Sequence, residues 1–349
     1  MKCHITKKRI AGLLGILLIV AFTACKRQPI KVVSTNTAMG TVIQYTVYAT
    51  DGEIAENVVE ELQKELQSLE TQHLSWRIED SQVAIMNAQA GKTEGVLLSK
   101  ELYGYLEDIL EVSRESKGAL DITLGKITAM WNLDSWSGKD EKAREEFVLP
   151  DEDALQSVLG ETGYERVLLK DGRIYLPKGM NLDLGAVGKG IACDRIRAYL
   201  ENQKEITGAV ISVGGSIVTY GKKPDGSFWK VAIMHPREEG AYLGTLTLQG
   251  EWNVATSGDY ERYVEMNGKR YHHILDPSTG YPVDNELCSV TILSKDGLLS
   301  DALSTACFVL GAEEGKKLVE VFGAEALFVT KKQEVIMTEG MKDIFEESK

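Results

Sequence analysis

The sequence predicts an α+β fold, a mostly antiparallel sheet with helices inserted between its strands. Three observations carry this expectation. Strands arrive as hairpins, with Asp171-Gly172 and Asn267-Gly268 each set between alternating runs. Helical periodicity recurs between them, over 53–70, 99–116 and 299–310. No internal repeat, low-complexity tract or interdomain linker divides the chain, and 349 residues, 43% hydrophobic and 26% charged, suffice for one large core.

The chain opens with Lys2, Lys7, Lys8 and Arg9 ahead of fifteen apolar or small residues from Ile10 to Ala24. That stretch, 1–24, reads as a signal peptide, too short for a comfortable membrane span. Its end, Phe22-Thr23-Ala24-Cys25, looks like a bacterial lipobox. Cys25 is therefore expected to carry a lipid that anchors the protein outside the cytoplasmic membrane; an ordinary secretory signal beside a coincidental cysteine is the alternative. Residues 25–35 read as a polar tether and 36–340 as the folded domain. The formal net charge is −13, and the leader holds four basic residues and no acidic one. Such a surface repels nucleic acid and anionic head groups. Cys193, Cys288 and Cys307 lie in apolar or element-like sequence, as buried free thiols rather than a disulfide framework.

Taken in order, 36–49 alternates at Ile43, Tyr45 and Val47 as a half-buried strand does. Ile54, Val58, Leu62, Leu66 and Leu69 recur at fours and threes, which makes 53–70 an amphipathic helix. Asp80-Ser81 then caps a short helix reaching Asn87. Leu102, Leu106, Ile109, Leu110 and Val112 form the apolar face of a helix over 99–116. Residues 119–123 enter a turn before the aromatic stretch Trp131 to Trp136, and the charged segment 137–149 reads as a surface loop. A short helix over 151–159 and a hairpin over 166–176 follow. The apolar run 208–221 is broken by Gly214-Gly215, where a backbone turns sharply or approaches a ligand. Strands at 229–234 and 243–248 precede a hairpin over 262–275, which delivers His272 and His273 to the end of its second strand. Strand 287–294, helices 299–310 and 313–322 and a hairpin over 326–338 complete the chain.

Two stretches carry chemistry. In NLDLGAVGKGIACD (181–194), Asp183 ends an apolar run, and Gly185, Gly188 and Gly190 surround Lys189 before a helical pattern from Ile191 to Leu200. Strand, glycine turn and helix make an anion site, because bare backbone N–H groups and the helix start both attract negative charge. The string is neither a Walker A loop nor a clean G-x-G-x-x-G, and by itself also suits plain strand-to-helix punctuation. In 299–311, Asp301, Ser304 and Thr305 share one helix face. Their oxygens are hard ligands suited to Mg²⁺. The alternative is a polar helix start, capped by Ser300, with Asp301 favouring the dipole.

The ordered set AMGT (38–41), ALDIT (119–123), LDLGAVGKGIACD (182–194), SVGGS (212–216), HHILDPSTGYP (272–282) and SDALSTACFVLG (300–311) closely resembles the ApbE family of FAD:protein FMN transferases. The match runs from about Thr35 to about Thr338. The resemblance implies an ApbE-like (T-fold-like) architecture and Mg²⁺-dependent transfer of FMN from FAD to a threonine or serine hydroxyl, with release of AMP. The implied acceptor is a membrane redox subunit or another exported flavoprotein. FAD contacts are implied at Met39, Trp76, Ala119, Leu120, Asp121, Asp183, Lys189 and Leu275. A metal site is implied at Ala186, through its backbone carbonyl, and at Asp301, Ser304 and Thr305. His273 is the candidate for taking the hydroxyl proton, since imidazole titrates near neutrality; its other reading is to order the loop or the metal site. Asp276 assists or caps its turn, and His272 has no assigned role. Trp76 stands where tyrosine is common, one residue further from Asp80-Ser81, and Leu120 replaces a frequent phenylalanine. Two rival readings use the same residues: an Mg²⁺-dependent FAD pyrophosphatase, and a non-catalytic flavin-binding lipoprotein. A redox flavoenzyme lacks its dinucleotide fingerprint here.

Overall fold

The computed structural model describes residues 28–136 and 146–348. The leader, Cys25 and residues 137–145 of the expected surface loop lie outside the described residues. In chain order the elements that build the site are strands β1 (Ile30–Ala38) and β2 (Thr41–Ala49), then helices α1 (Gly52–Ser68), α2 (Lys100–Glu115) and α3 (Gly188–Glu201). Strands β3 (Ile206–Val213), β4 (Ser216–Gly221), β5 (Trp229–Met234), β6 (Tyr242–Leu248), β7 (Trp252–Gly258), β8 (Tyr263–Met266), β9 (Lys269–His272) and β10 (Leu287–Ser294) follow. Helices α4 (Gly297–Leu310) and α5 (Ala312–Val321) and strands β11 (Glu325–Thr330), β12 (Val335–Met337) and β13 (Phe345–Glu347) end the chain.

Eight strands form one sheet of order β1-β2-β3-β4-β7-β10-β11-β12, antiparallel at every ladder. β10 is buried along its whole length, because both faces of the sheet are covered there. One face packs against α1, α3, α4 and α5, through residues such as Leu62, Ile191, Ala302 and Leu318. Trp229, Val231 and Leu246, from a three-stranded sheet of order β13-β6-β5, pack with Val254, Leu293 and Leu327 on the other.

Local chemistry explains the punctuation. Asp51, Ser81, Ser99 and Asp151 each accept a backbone N–H as helix N-caps. Asp171-Gly172 and Asn267-Gly268 turn with positive φ at both residues, the conformation that two-residue hairpins demand. All three described cysteines are free and buried.

Several expectations need correction. The stretch read as a tether enters the sheet at Ile30: its alternation pairs Ile30–Ala38 with β2, but as an exposed edge strand it lacks a strong apolar signature. Residues 36–49 are thus the end of one strand, a turn at Met39-Gly40, and a second strand. The domain runs past 340, because β13 adds to β6. Residues 181–187 form only an isolated parallel bridge, Leu124 to Asn181, and α3 starts at Gly188 rather than Ile191. α4 starts at Gly297, capped by Asp296, whose carboxylate accepts from the Leu299 N–H at 2.8 Å. Ser300 is therefore not the cap; its hydroxyl donates to the Asp296 carbonyl. A helix at Gly125–Trp131 and the strand β7 were not anticipated. The first has no side-chain cap, and the second mixes Trp, Asn, Thr and Ser without clean alternation.

Candidate active site

A cleft of about 920 Å³ opens beside the sheet where the β1–β2 turn, the segment 74–77, the start of α3, the β3–β4 turn and the residues after β7 converge. Met39, Trp76, Asp183 and Lys189 line it.

The crossing of α3 and α4 organises the floor. A Cβ on Gly190 would lie 2.2 Å from the Gly297 carbonyl oxygen, so only glycine permits this approach. The Gly190 N–H donates to Asp301 Oδ2 at 2.9 Å. In a helix continued one residue further back, that N–H would have bonded the Ala186 carbonyl; here the carbonyl accepts no bond among the described residues. Asp301 Oδ1 also accepts from Ser216 Oγ at 3.2 Å and lies 3.3 Å from Lys189 Nζ. Ser304 Oγ donates to the Asp301 carbonyl at 2.8 Å and lies 2.7 Å from Ser257 Oγ, which is 3.4 Å from Thr305 Oγ1. The two distant segments therefore meet at Gly190, four residues past the unpartnered Ala186 carbonyl, and a buried carboxylate and several hydroxyls gather there. That donor set fits a hard divalent ion, and the Lys189 ammonium beside Asp301 balances the charge of the carboxylate.

Met39 sits at φ 54°, a conformation costly for a bulky side chain. Its N–H donates to Glu70 Oε2 at 2.6 Å. Glu70 belongs to a π-helical turn, Leu69–Leu74, that continues α1. Such turns concentrate at functional sites.

Asp134 joins two arginines across the cleft wall, pairing with Arg77 and, at 2.9 Å, with Arg262. Burial pushes its carboxyl up, but Arg262 and Arg77 outweigh this and hold it below its usual range. The Arg77 guanidinium also lies 4.2 Å over the Trp76 ring. Glu261 lines the same cleft, its carboxylate with no hydrogen-bond or ion-pair partner among the described residues. Burial raises its pKa; Lys189 and Arg262 oppose this only in part, and Asp301 adds to it. Asp183 is raised by burial too, against the Gly185 N–H that it accepts at 2.8 Å.

Other expected residues lie further back. His273 and Leu275 line a side cavity of about 20 Å³ that shares Arg77 and Asp134 with the main cleft. Burial, then Arg262, His272 and Lys189, push the His273 imidazole down to about 3, far below the near-neutral titration expected of it, so at working pH it is neutral but a weak base. His272 points away, its Nε2 3.0 Å from the Val283 carbonyl. Asp276 caps its turn, accepting from the Ser278 N–H and hydroxyl. Ala119, Leu120 and Asp121 stand behind the wall: Leu120 is buried in the core, and Asp121 accepts from the Thr123 N–H and hydroxyl and the Tyr164 N–H. The carbonyl of their neighbour Ile122, in the turn that follows, accepts the Asp183 N–H at 2.8 Å, which ties that segment to the glycine turn.

Glu70, Arg77, Asp134, Glu261 and Arg262 escaped the sequence reading. Arg77, adjoining Trp76, was the one with a local signal.

A profile of the ApbE family matches residues 39–328. This chain belongs to the ApbE family. It is 34% identical over 305 residues to an FAD:protein FMN transferase of Klebsiella pneumoniae, covering 86% of this chain and 89% of that one. A Treponema pallidum protein of the same description is 35% identical over 287 residues, covering 77% and 76%. Among solved structures, the ApbE protein of Thermotoga maritima superposes with a TM-score of 0.79 at 29% identity, over 91% of this chain and all of that one. The apo flavinyl transferase ApbE of Pseudomonas stutzeri gives 0.77 at 27%, over 92% and 99%. The ApbE fold is thus the fold of this chain, mixed α and β with a mainly antiparallel sheet.

Proposed function

We propose that this ApbE-family chain is an FAD:protein FMN transferase that joins FMN to a threonine or serine hydroxyl of an acceptor protein and releases AMP. The observation that carries the reading is the meeting of the glycine turn with α4 at Gly190 and Asp301, beside Lys189, in a cleft able to hold a dinucleotide.

In this reading Met39, Trp76 and Asp183 hold and orient FAD, and Lys189 faces its pyrophosphate. The Ala186 carbonyl, Asp301, Ser304 and Thr305 are the residues that would hold Mg²⁺. Bound there, the ion would supply charge neutralisation at phosphate oxygens. The acceptor oxygen bonds to the FMN-side phosphorus, the bridging P–O bond breaks, and AMP departs with that electron pair. His273 is the candidate for taking the hydroxyl proton: it is neutral, and the anionic pyrophosphate bound in the cleft would raise its basicity from the depressed value that burial imposes. The leader and Cys25 add a lipid anchor that places the reaction outside the cytoplasmic membrane.

The test is incubation of the purified chain with FAD, Mg²⁺ and a co-expressed exported flavoprotein. FMN found on a threonine or serine by mass spectrometry supports transfer. Free FMN and AMP without labelling would identify a pyrophosphatase, and FAD binding without AMP a carrier.

A further inference from the structure

β5 is the outer strand of its three-stranded sheet. Its inward side chains, Trp229, Val231 and Ile233, pack over the main sheet, while its last three residues line the cleft beside Ile217, Val254 and Tyr260. Among the described residues, none of its backbone groups bonds outside the β6 ladder. Which groups are open follows from β6. Thr247 donates its N–H to the Ile344 carbonyl at 2.9 Å, on the β13 side. Lys230, opposite Thr247, therefore sits in a pair that exchanges no hydrogen bond. By alternation, the N–H and C=O groups of Lys230 and Ala232 face the open edge.

Such an edge accepts an added strand, and here the added strand would continue the layer across the apolar floor at Ile217. The two ends of the slot differ. At the cleft end Met234 and Tyr242, paired across the ladder, are 46% and 54% exposed. Toward the other end stand Lys222, Lys223 and Lys230, none with an ion-pair partner among the described residues of this acidic chain. Lys223 Nζ lies 5.6 Å over the Trp229 ring. The one acid within 222–234, Asp225, is engaged by the Ser227 N–H and hydroxyl and attracts Lys223 only secondarily, which leaves the end net positive.

We propose that the open edge of β5 receives an extended segment of the acceptor protein as an added strand, its hydroxyl-bearing residue at the Met234 end and acidic residues at the Trp229 end. This rests on the transferase reading for the identity of the partner. The strand has six residues, about 20 Å of extended chain. The acidic residues accordingly fall about four to six positions from the modified hydroxyl.

The experiment follows backbone amide exchange in the FAD-loaded full chain. One probe is a 14-residue peptide with a single threonine and three aspartates beginning four positions from it; the other replaces the aspartates with lysines. The aspartate peptide slows exchange at Lys230 and Ala232 tenfold or more, and the lysine peptide does not. Lys230→Pro binds FAD normally but loses the protection at Ala232. If that variant no longer holds FAD, the double variant Lys222→Glu/Lys223→Glu decides, because it keeps the edge and should reverse the peptide preference. Equal protection by both peptides, or none at either amide, overturns the proposal. FMN addition, read by mass in the same samples, separates the two claims: protection without transfer removes the transferase reading alone, and transfer without protection removes the docking edge alone.

Discussion

Gly190 and Gly297 face each other across the crossing of α3 and α4, each backbone standing where the other's Cβ would be. A Cβ at Gly297 would lie 2.4 Å from the Gly190 carbonyl oxygen, nearly as close as the reverse contact. The glycine expected to cradle a phosphate therefore has a second task. It lets one helix start approach another closely enough for its N–H to reach Asp301.

Gly190→Ala should push the helices apart. Overpacking of this kind costs about 1–3 kcal/mol. Here it should also lengthen the Gly190 to Asp301 bond, so FAD turnover should fall even at temperatures where the variant remains folded. Thermal denaturation and AMP release, measured on the same preparation, check both halves. Full activity in a destabilised protein would show that the crossing is structural only.

Asp301 holds three donors: a backbone N–H, the Ser216 hydroxyl and the Lys189 ammonium. Asp301→Asn keeps the shape and removes the charge. AMP release should drop about a hundredfold or more, since electrostatic stabilisation of a phosphoryl group is the main service of such a site. Asp301→Ala should in addition destabilise the fold by up to about 3 kcal/mol, because it leaves buried donors unpaired. A magnesium titration of FAD turnover, in wild type and Asp301→Asn, measures the first effect; an Asp301→Asn curve that coincides with wild type would remove this carboxylate from the metal site.

The hairpins and amphipathic helices were legible because their signals are local: Asn267-Gly268 needs no neighbour to turn, and Leu62 and Leu66 need only each other's spacing. The strand β1 was not, because an edge strand buries little and Val33 is 63% exposed. Of the site, Lys189 and Asp301 could be read from their segments, whereas Glu261 and Asp134 could not. Their significance lies in what the fold brings opposite them, an unanswered carboxylate near Lys189 in one case and two arginines in the other.

Asp134→Asn tests the second of these. The pairs with Arg77 and Arg262 are partly exposed, so their loss should alter stability by no more than about 1 kcal/mol. Arg77, no longer tethered, should leave its stack on Trp76, and the apparent KM for FAD should rise several-fold with a smaller change in kcat. Steady-state kinetics over a range of FAD concentrations give the split. A fall in kcat at constant KM would instead place Asp134 with the proton-handling side cavity around His273.

Glu261 supplies a pH test that needs no substrate. Burial first, and repulsion from Asp301, raise its pKa in the folded chain. The folded state therefore retains a proton that the unfolded state has already lost, over the interval between the ordinary glutamate range, near pH 4.3, and the raised value. Stability falls as pH rises through that interval, because the folded state binds more protons there, and above it the ionised carboxylate is a standing cost. Glu261→Gln removes that cost. In the FAD-free protein the variant should melt higher than wild type at pH 7 to 8, with the gap closing as pH falls toward 4. A gap independent of pH would mean that the carboxylate is already satisfied.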